Sequence, residues 1–350
     1  MSSLDSLTPD STQNIILGLT AERTIVVKGI AGSGKSLTLL WKARQVSTYS
    51  DSYAIIVYTK SLKQFFVDEL MEIGPIEGHV YYFDEWKRSN KPNYTYMFVD
   101  ECQDFNAEEI DDFVRHGKYC WFFGDTDQSI MEFKPTQRSP GHTVQSVEDT
   151  VKQLKLKTSQ NLGMNHRLTV ENAKVGECIL PKTHLSFKCY KHGPKPQLIK
   201  VKERAKQLET ILDIINVNNM TNVGILVYYN DEVTRIRDFC LSRGKPVQWK
   251  TDDEMDIDFK STDPIIVTWH CGKGIQFSDV FIPCCGYGDY AAFTSSRYDD
   301  PVISYISALY VATTRPLERL FLLYTGTLCP SLPPVNSDIY ENTQIQNGPF

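Results

Sequence analysis

The chain has 350 residues, 41% hydrophobic and 23% charged, with a formal charge of -6. That length suits two ordinary domains, no apolar run approaches the ~20 residues of a membrane span, and an acidic balance argues against a protein that coats nucleic acid through a broad basic face. The polar start MSSLDSLTPDSTQ reads as neither a secretory signal nor a transit peptide, so the expectation is a cytoplasmic protein with no membrane partner.

In chain order, short apolar or aromatic runs alternate with amphipathic stretches, the pattern of an α/β fold around parallel sheets. Strands are predicted at Thr24 to Val27, Tyr53 to Tyr58, Tyr96 to Val99 and Tyr119 to Phe123, with a further strand around His79 to Phe83. Runs such as AIIVY suggest strands buried on both faces. The Ser-, Pro- and Gly-rich stretch 137–150 reads as a linker between a first lobe, 1–136, and a second, 151–329.

The second lobe is expected to contain helices near Thr169 to Leu180, Ala205 to Asn216, Asp231 to Arg243 and Ser304 to Thr314. Its strands are expected at Val223 to Val227, Ile265 to Thr268, Val280 to Ile282 and Leu320 to Tyr324. The stretch 330–350 reads as an irregular tail. Nine cysteines without a C-x-x-C pair read as reduced structural residues.

Gly29-Ile-Ala-Gly32-Ser33-Gly34-Lys35-Ser36 fits G-x-x-x-x-G-K-[ST] between a predicted strand and a predicted helix, the context that a phosphate-binding loop requires. Glycines let successive N–H groups curl toward phosphate oxygens, and the helix N-terminus adds partial positive charge. Lys35 would reach the β and γ phosphates, and the Ser36 hydroxyl suits Mg2+, a hard ion that prefers oxygen ligands. Tyr96-Met-Phe-Val99 runs into Asp100 and Glu101, a pair suited to hold Mg2+ and to orient or deprotonate the attacking water.

Further segments carry a resemblance. Asp100-Glu101-Cys102-Gln103-Asp104 is similar to the D-E-x-Q-D motif of superfamily 1 helicases, and Gly124-Asp-Thr-Asp-Gln128-Ser-Ile130 to its G-D-x-x-Q-S-I. Asn165-His166-Arg167 resembles N-Y-R, the segment Thr268 to Phe277 resembles T-x-H-x-x-K-G-L-E-F, and Tyr310 to Arg315 resembles Y-V-A-L-T-R. Tyr58-Thr59-Lys60 is similar to T-F-T-N, and Gln13 lies where an adenine-reading glutamine would. The group it looks most like is the UvrD/Rep/PcrA type.

The resemblance implies two RecA-like lobes with ATP between them. Lys35, Glu101, Gln128, Arg167 and Arg315 would be catalytic, the two arginines neutralising charge on the transferring phosphoryl group. Gln13, the loop residues, His166, Gly274 and Gln276 would hold the nucleotide, and Ser36 and Asp100 would hold Mg2+. Single-stranded DNA, with RNA also open, would run over Tyr58, Thr59, Phe133, Thr268 and His270, since aromatic faces accept any base.

His166 replaces a stacking tyrosine and Gln276 a ribose-binding glutamate, which points to loose base selectivity. The intervals Phe66 to Val99 and Leu168 to Pro264 are too short for the family's large accessory subdomains, so ATP hydrolysis is expected and strand separation is left open. An ATP-driven translocase is the leading reading. The others are a switch or motor subunit acting with a protein partner such as a nuclease, and a small-molecule kinase.

Overall fold

A computed structural model of the chain describes residues 8–71, 79–125, 127, 145–251, 255–295 and 301–344. The chain divides into two compact units, Met1–Asn165 and His166–Phe350, each built on a largely parallel sheet. This is the α/β class expected from the alternation of apolar runs and amphipathic stretches, and it is consistent with the RecA-like lobes that the resemblance implies. Among the described residues, no helix is long and apolar enough to cross a membrane.

The first sheet contains β1 (Ile25–Gly29), β2 (Tyr53–Val57), β3 (Val80–Tyr82), β4 (Tyr94–Val99), β5 (Gly117–Gly124) and β6 (Gln160–Leu162), in the order β3-β2-β4-β5-β1-β6. All its pairings are parallel. Parallel strands need crossover helices, and those helices cover both faces. Successive side chains alternate between two cores. Ile25, Val27, Ile55 and Phe98 face one, with α1 (Ser11–Leu17), α2 (Lys35–Ser47) and α3 (Lys60–Met71). Val26, Ile56, Met97 and Phe122 face the other, with α4 (Phe83–Arg88), α5 (Ala107–His116) and α6 (Val147–Gln153).

Side-chain caps set where these helices start: Asp10 with Gln13 closes a capping box on α1, and Asn106 with Glu109 does so on α5. Of the stretch expected to link the lobes, 137–144 lies outside the described residues. Ser146 caps α6 through Asp149 N, and β6 pairs with β1, so residues up to Asn165 pack with the first unit.

The second unit begins at His166, within β7 (Asn165–Thr169), which pairs with β8 (Cys189–Lys191). Its main sheet contains β9 (Gln197–Lys200), β10 (Val223–Val227), β11 (Gln248–Lys250), β12 (Met255–Asp256), β13 (Ile265–Thr268), β14 (Phe277–Ile282), β15 (Pro316–Tyr324) and β16 (Glu341–Gln344). The order is β12-β11-β13-β10-β14-β15-β9-β16, parallel except for β12. The helices are α7 (Val170–Ile179), α8 (Arg204–Val217), α9 (Asn230–Ser242), α10 (Tyr287–Thr294) and α11 (Pro301–Thr313). The core of one face joins Ile225, Ile266 and Phe281 to Ile211 of α8 and Ile236 of α9.

Among the described residues, the stretch after Pro330, expected to be irregular, contains β16, which adds to the sheet beside β9 in register from Glu341 opposite Gln197. Its strand is short and polar, so neither alternation nor β-branched enrichment marked it.

Candidate nucleotide-binding site

The first unit gathers its candidate residues at the C-terminal edge of the parallel sheet. After β1 the backbone turns through Gly32 and Gly34 with φ of +69° and +78°, and Gly34 is the N-cap of α2. Both angles lie in the left-handed region that favours glycine. Space demands glycine too: a Cβ on Gly32 would stand 2.6 Å from Asn165 Oδ1, and one on Gly34 would stand 2.4 Å from Gln13 Nε2.

Lys35 is buried, and its Nζ donates to the carbonyls of Gly29 (3.1 Å) and Ile30 (3.2 Å), with Asp125 Oδ2 at 3.9 Å. The ammonium is therefore held over the loop. Ser36 Oγ donates to Asp100 Oδ2 at 2.7 Å, which places hydroxyl and carboxylate together where the sequence assigned Mg2+. Asp100 is fully buried at the end of β4. Burial and the adjoining Glu101 carboxylate push its carboxyl up to about 7, against the opposite pull of Ser36 and Lys35.

Lys35 only partly offsets that cost, and two hard oxygen donors in contact, with a buried, unpartnered Ser33 Oγ in the same loop, fit a magnesium-bound triphosphate. Mg2+ when bound supplies charge neutralisation and orientation of phosphate oxygens.

Glu101 adopts φ 50°, ψ 48°, an uncommon conformation for a residue with a side chain. Its N–H donates to Asp100 Oδ1 at 3.0 Å, and its carboxylate accepts from Gln103 Nε2. Gln103 in turn accepts from Asp125 N at 2.9 Å. Gln103 thus bridges the ends of β4 and β5. The motif strings contain Gln103 and Asp125, yet the sequence reading assigned them no role. Asn165 is the other residue it missed: wholly buried, it donates from Nδ2 to Ala31 O and supports the loop from the side. Its place in the N-H-R string was the available signal.

Gln13 is also buried against the loop. Its Oε1 accepts from Asp10 N (2.9 Å) and its Nε2 donates to Ser33 O (3.3 Å). Tyr58 packs its ring edge on Phe105 at 5.2 Å, and Thr59 Oγ1 accepts from Leu62 N (3.1 Å) to cap the start of α3. Gln128 and Phe133 lie outside the described residues.

In the second unit, Arg167 is buried on β7, close enough for its charge to act on the Cys189 thiol of β8, which burial pushes up to about 12. Arg315 is buried just after α11, where Nε donates to Val311 O (2.9 Å) and Nη2 to Thr314 Oγ1 (3.2 Å). His166 Nδ1 and Tyr190 Oη are 2.9 Å apart. After β13, Thr268 Oγ1 accepts from Cys271 N (3.1 Å), the His270 ring lies 5.5 Å from Tyr228, and Gly274 has φ +84° before a half-buried Gln276.

A sequence profile described as the viral superfamily 1 RNA helicase core domain matches residues 25–213. No curated protein matched the chain. Among solved structures, the chain is similar to arterivirus nonstructural protein 10, a helicase, at 14% identity and a TM-score of 0.44, covering 92% of this chain and 63% of that one. A complex of that arterivirus helicase with DNA gives 14% identity and 0.43, over 92% and 64%. The C-terminal domain of a possible DNA helicase from Lactobacillus plantarum WCFS1 gives 16% and 0.38, over 51% and 98%. The profile spans more than half of the 350 residues, including the phosphate loop, the acidic strand end and the N-H-R string. The chain belongs to the viral superfamily 1 RNA helicase core family.

Proposed function

We propose that this chain is an ATP-hydrolysing motor that moves along single-stranded nucleic acid, with RNA as its track. The observation that carries the reading is the part-buried contact of Ser36 Oγ with Asp100 Oδ2 at 2.7 Å, beside a lysine held over the phosphate loop and a glutamate in a strained turn. Such a group suits phosphoryl transfer, in which catalysis is positioning and charge stabilisation. Lys35 would neutralise phosphate charge, and Ser36 and Asp100 would hold Mg2+. Glu101, aligned by Gln103, would accept a proton from water, and Gln128 would help to orient that water.

From the second unit, Arg167 and Arg315 would supply the charge that the departing phosphoryl group requires. His166 would stack on the base, and Gly274 and Gln276 would face the ribose. Tyr58, Thr59, Phe133, Thr268 and His270 would follow the strand. The family description supports RNA over the DNA expected from the motif strings, and the narrower likeness to the UvrD/Rep/PcrA group stands on those strings alone.

The test is phosphate release by the purified full chain with single-stranded RNA, single-stranded DNA or duplex, and Glu101→Gln as the inactive control. Stimulation by RNA at low salt, fading as salt rises, is the expected result. Turnover indifferent to every nucleic acid at every salt concentration would remove the motor reading and leave a bare nucleotide hydrolase.

A further inference from the structure

The segment from Cys178 to Lys202 differs from the rest of this acidic chain: it contains Lys182, Lys188, Lys191, Lys195, Lys200 and Lys202, and neither Asp nor Glu. Within it a 3-10 turn, Ser186–Lys188, leads straight into β8, and two large aromatics stand open to solvent, Phe187 at 84% and Tyr190 at 59% exposure. Exposed rings of this size three positions apart in a lysine-rich segment call for an explanation.

The backbone presents them outward for local reasons. On β8, Cys189 and Lys191 turn half inward, so the strand alternation sends Tyr190 out. Tyr190 Oη meets His166 Nδ1 at 2.9 Å, with the two rings edge to face at 5.6 Å, which anchors the ring on that side while the residue stays 59% exposed. Glu177 binds the N–H (2.9 Å) and hydroxyl of Ser186 and fixes the start of the turn.

Lys188 and Lys191 are tied by Nζ to the carbonyls of Thr183 (2.8 Å) and Leu317 (2.9 Å), which restricts their charges without neutralising them. Lys182 and Lys195 are exposed. The acids nearby are Glu171, bound to His192 and Gly193 N, the capping Glu177, and Glu318.

We propose that this surface is a docking site for single-stranded nucleic acid, with Phe187 and Tyr190 as stacking platforms and Lys182, Lys188, Lys191 and Lys195 as phosphate contacts. The proposal rests on the motor reading above and adds a contact point outside the residues assigned there to the strand. Phe187 and Tyr190 are three residue steps apart, at most roughly 11 Å between their Cα atoms, so one short strand can reach both. Flat rings among fixed positive charges match a polymer that alternates bases with phosphates. An acidic peptide would satisfy the lysines and leave the rings unused.

The experiment is fluorescence anisotropy of a labelled oligouridine RNA with the full chain, titrated with KCl. Phe187→Ala with Tyr190→Ala is expected to weaken binding at least about fivefold, the lower bound of ~1 kcal/mol for one lost base stack. Lys182→Gln with Lys195→Gln is expected to lower the slope of log affinity against log salt by about 1.4, two contacts at ~0.7 each. Phe187→Ser alone, at a position so exposed that folding does not depend on it, keeps the test valid if the double variant melts early. Wild-type binding with every variant unchanged in affinity and slope overturns this surface alone, and so does polyglutamate binding that weakens as much as RNA binding in the ring variants. A wild type that binds no RNA overturns the motor reading together with it.

Discussion

Two turns of this molecule start from nearly the same place and end in opposite chemistry. β1 and β10 are both buried strands inside parallel sheets, and each leads into a 13-residue helix, α2 or α9. After β1 the chain passes through Gly32 and Gly34 at positive φ, and the first turn of α2 contains no acid. After β10 it passes through Tyr228 and an extended Tyr229, and α9 opens with Asp231 and Glu232. Both helix ends present N–H groups and a partial positive charge. In α9 the two carboxylates stand in the first turn, where their charge would repel phosphate. The comparison teaches that a parallel sheet does not by itself make a phosphate site: glycine geometry and an acid-free first turn do.

The largest expected effect falls on the first turn's partner across the sheet. Glu101→Gln keeps the size and the contact with Gln103 but removes the base, so turnover should drop ~10²- to 10⁴-fold while labelled-nucleotide binding persists. Retained turnover would move the base elsewhere and break the contrast between the two units. Next is Gly32→Ala. Its Cβ would enter the Asn165 side chain at a φ of +69°, and strain of ~1–3 kcal/mol predicts nucleotide affinity ~5- to 150-fold weaker. Tyr229→Gly, which gives the second turn a glycine but leaves Asp231 and Glu232, is expected to create no nucleotide binding by equilibrium dialysis; binding there would show that glycine alone suffices.

A smaller effect appears in stability. The Asp100 carboxyl, ordinarily near 3.9, stands at about 7 in the folded chain because burial and Glu101 oppose its charge. The folded state therefore holds a proton that the unfolded chain releases, and stability falls as pH rises across that window. Asp100→Asn should flatten that fall in metal-free urea unfolding between pH 4.5 and pH 8, and melt higher than wild type at the upper end while losing turnover. An unchanged pH profile would mean that Asp100 is not the group under strain.

How much of this was legible beforehand follows the physics of each element. β10 and β13 were placed residue for residue, because continuous runs such as Ile265 to Thr268 have one sensible burial. The phosphate loop and the Asp100–Glu101 pair were legible because their chemistry requires fixed residue types at fixed spacing. β6 and β16 were not: three or four mostly polar residues such as Gln160 to Leu162 become strands only when a neighbour offers an open edge. The left-handed Glu101 was equally hidden, since residue type does not announce a conformation that the surrounding sheet imposes. Gln13 looked like a base reader, and the structure places both its polar ends on Asp10 and Ser33, a pairing visible only once α1 is folded beside the loop.

Asn165 offers the finest cut, because a polar amide braces the loop after β1, whereas the rings of Trp269, Phe293 and Tyr305 brace Tyr228 in the turn after β10. The Asn165 amide donates to Ala31 O in a wholly buried position, and no water can replace it without opening the loop. Asn165→Ala leaves that carbonyl desolvated at a cost of about 1–3 kcal/mol. For a unit of this size, each kcal/mol lowers the melting temperature by roughly 2–4 °C. Nucleotide should recover part of the loss, since its phosphates recruit the loop N–H groups and hold the backbone from the other side. A variant that melts like wild type with and without nucleotide would show that Ala31 O finds another donor, and that the first residue of the N-H-R string does not support the phosphate loop.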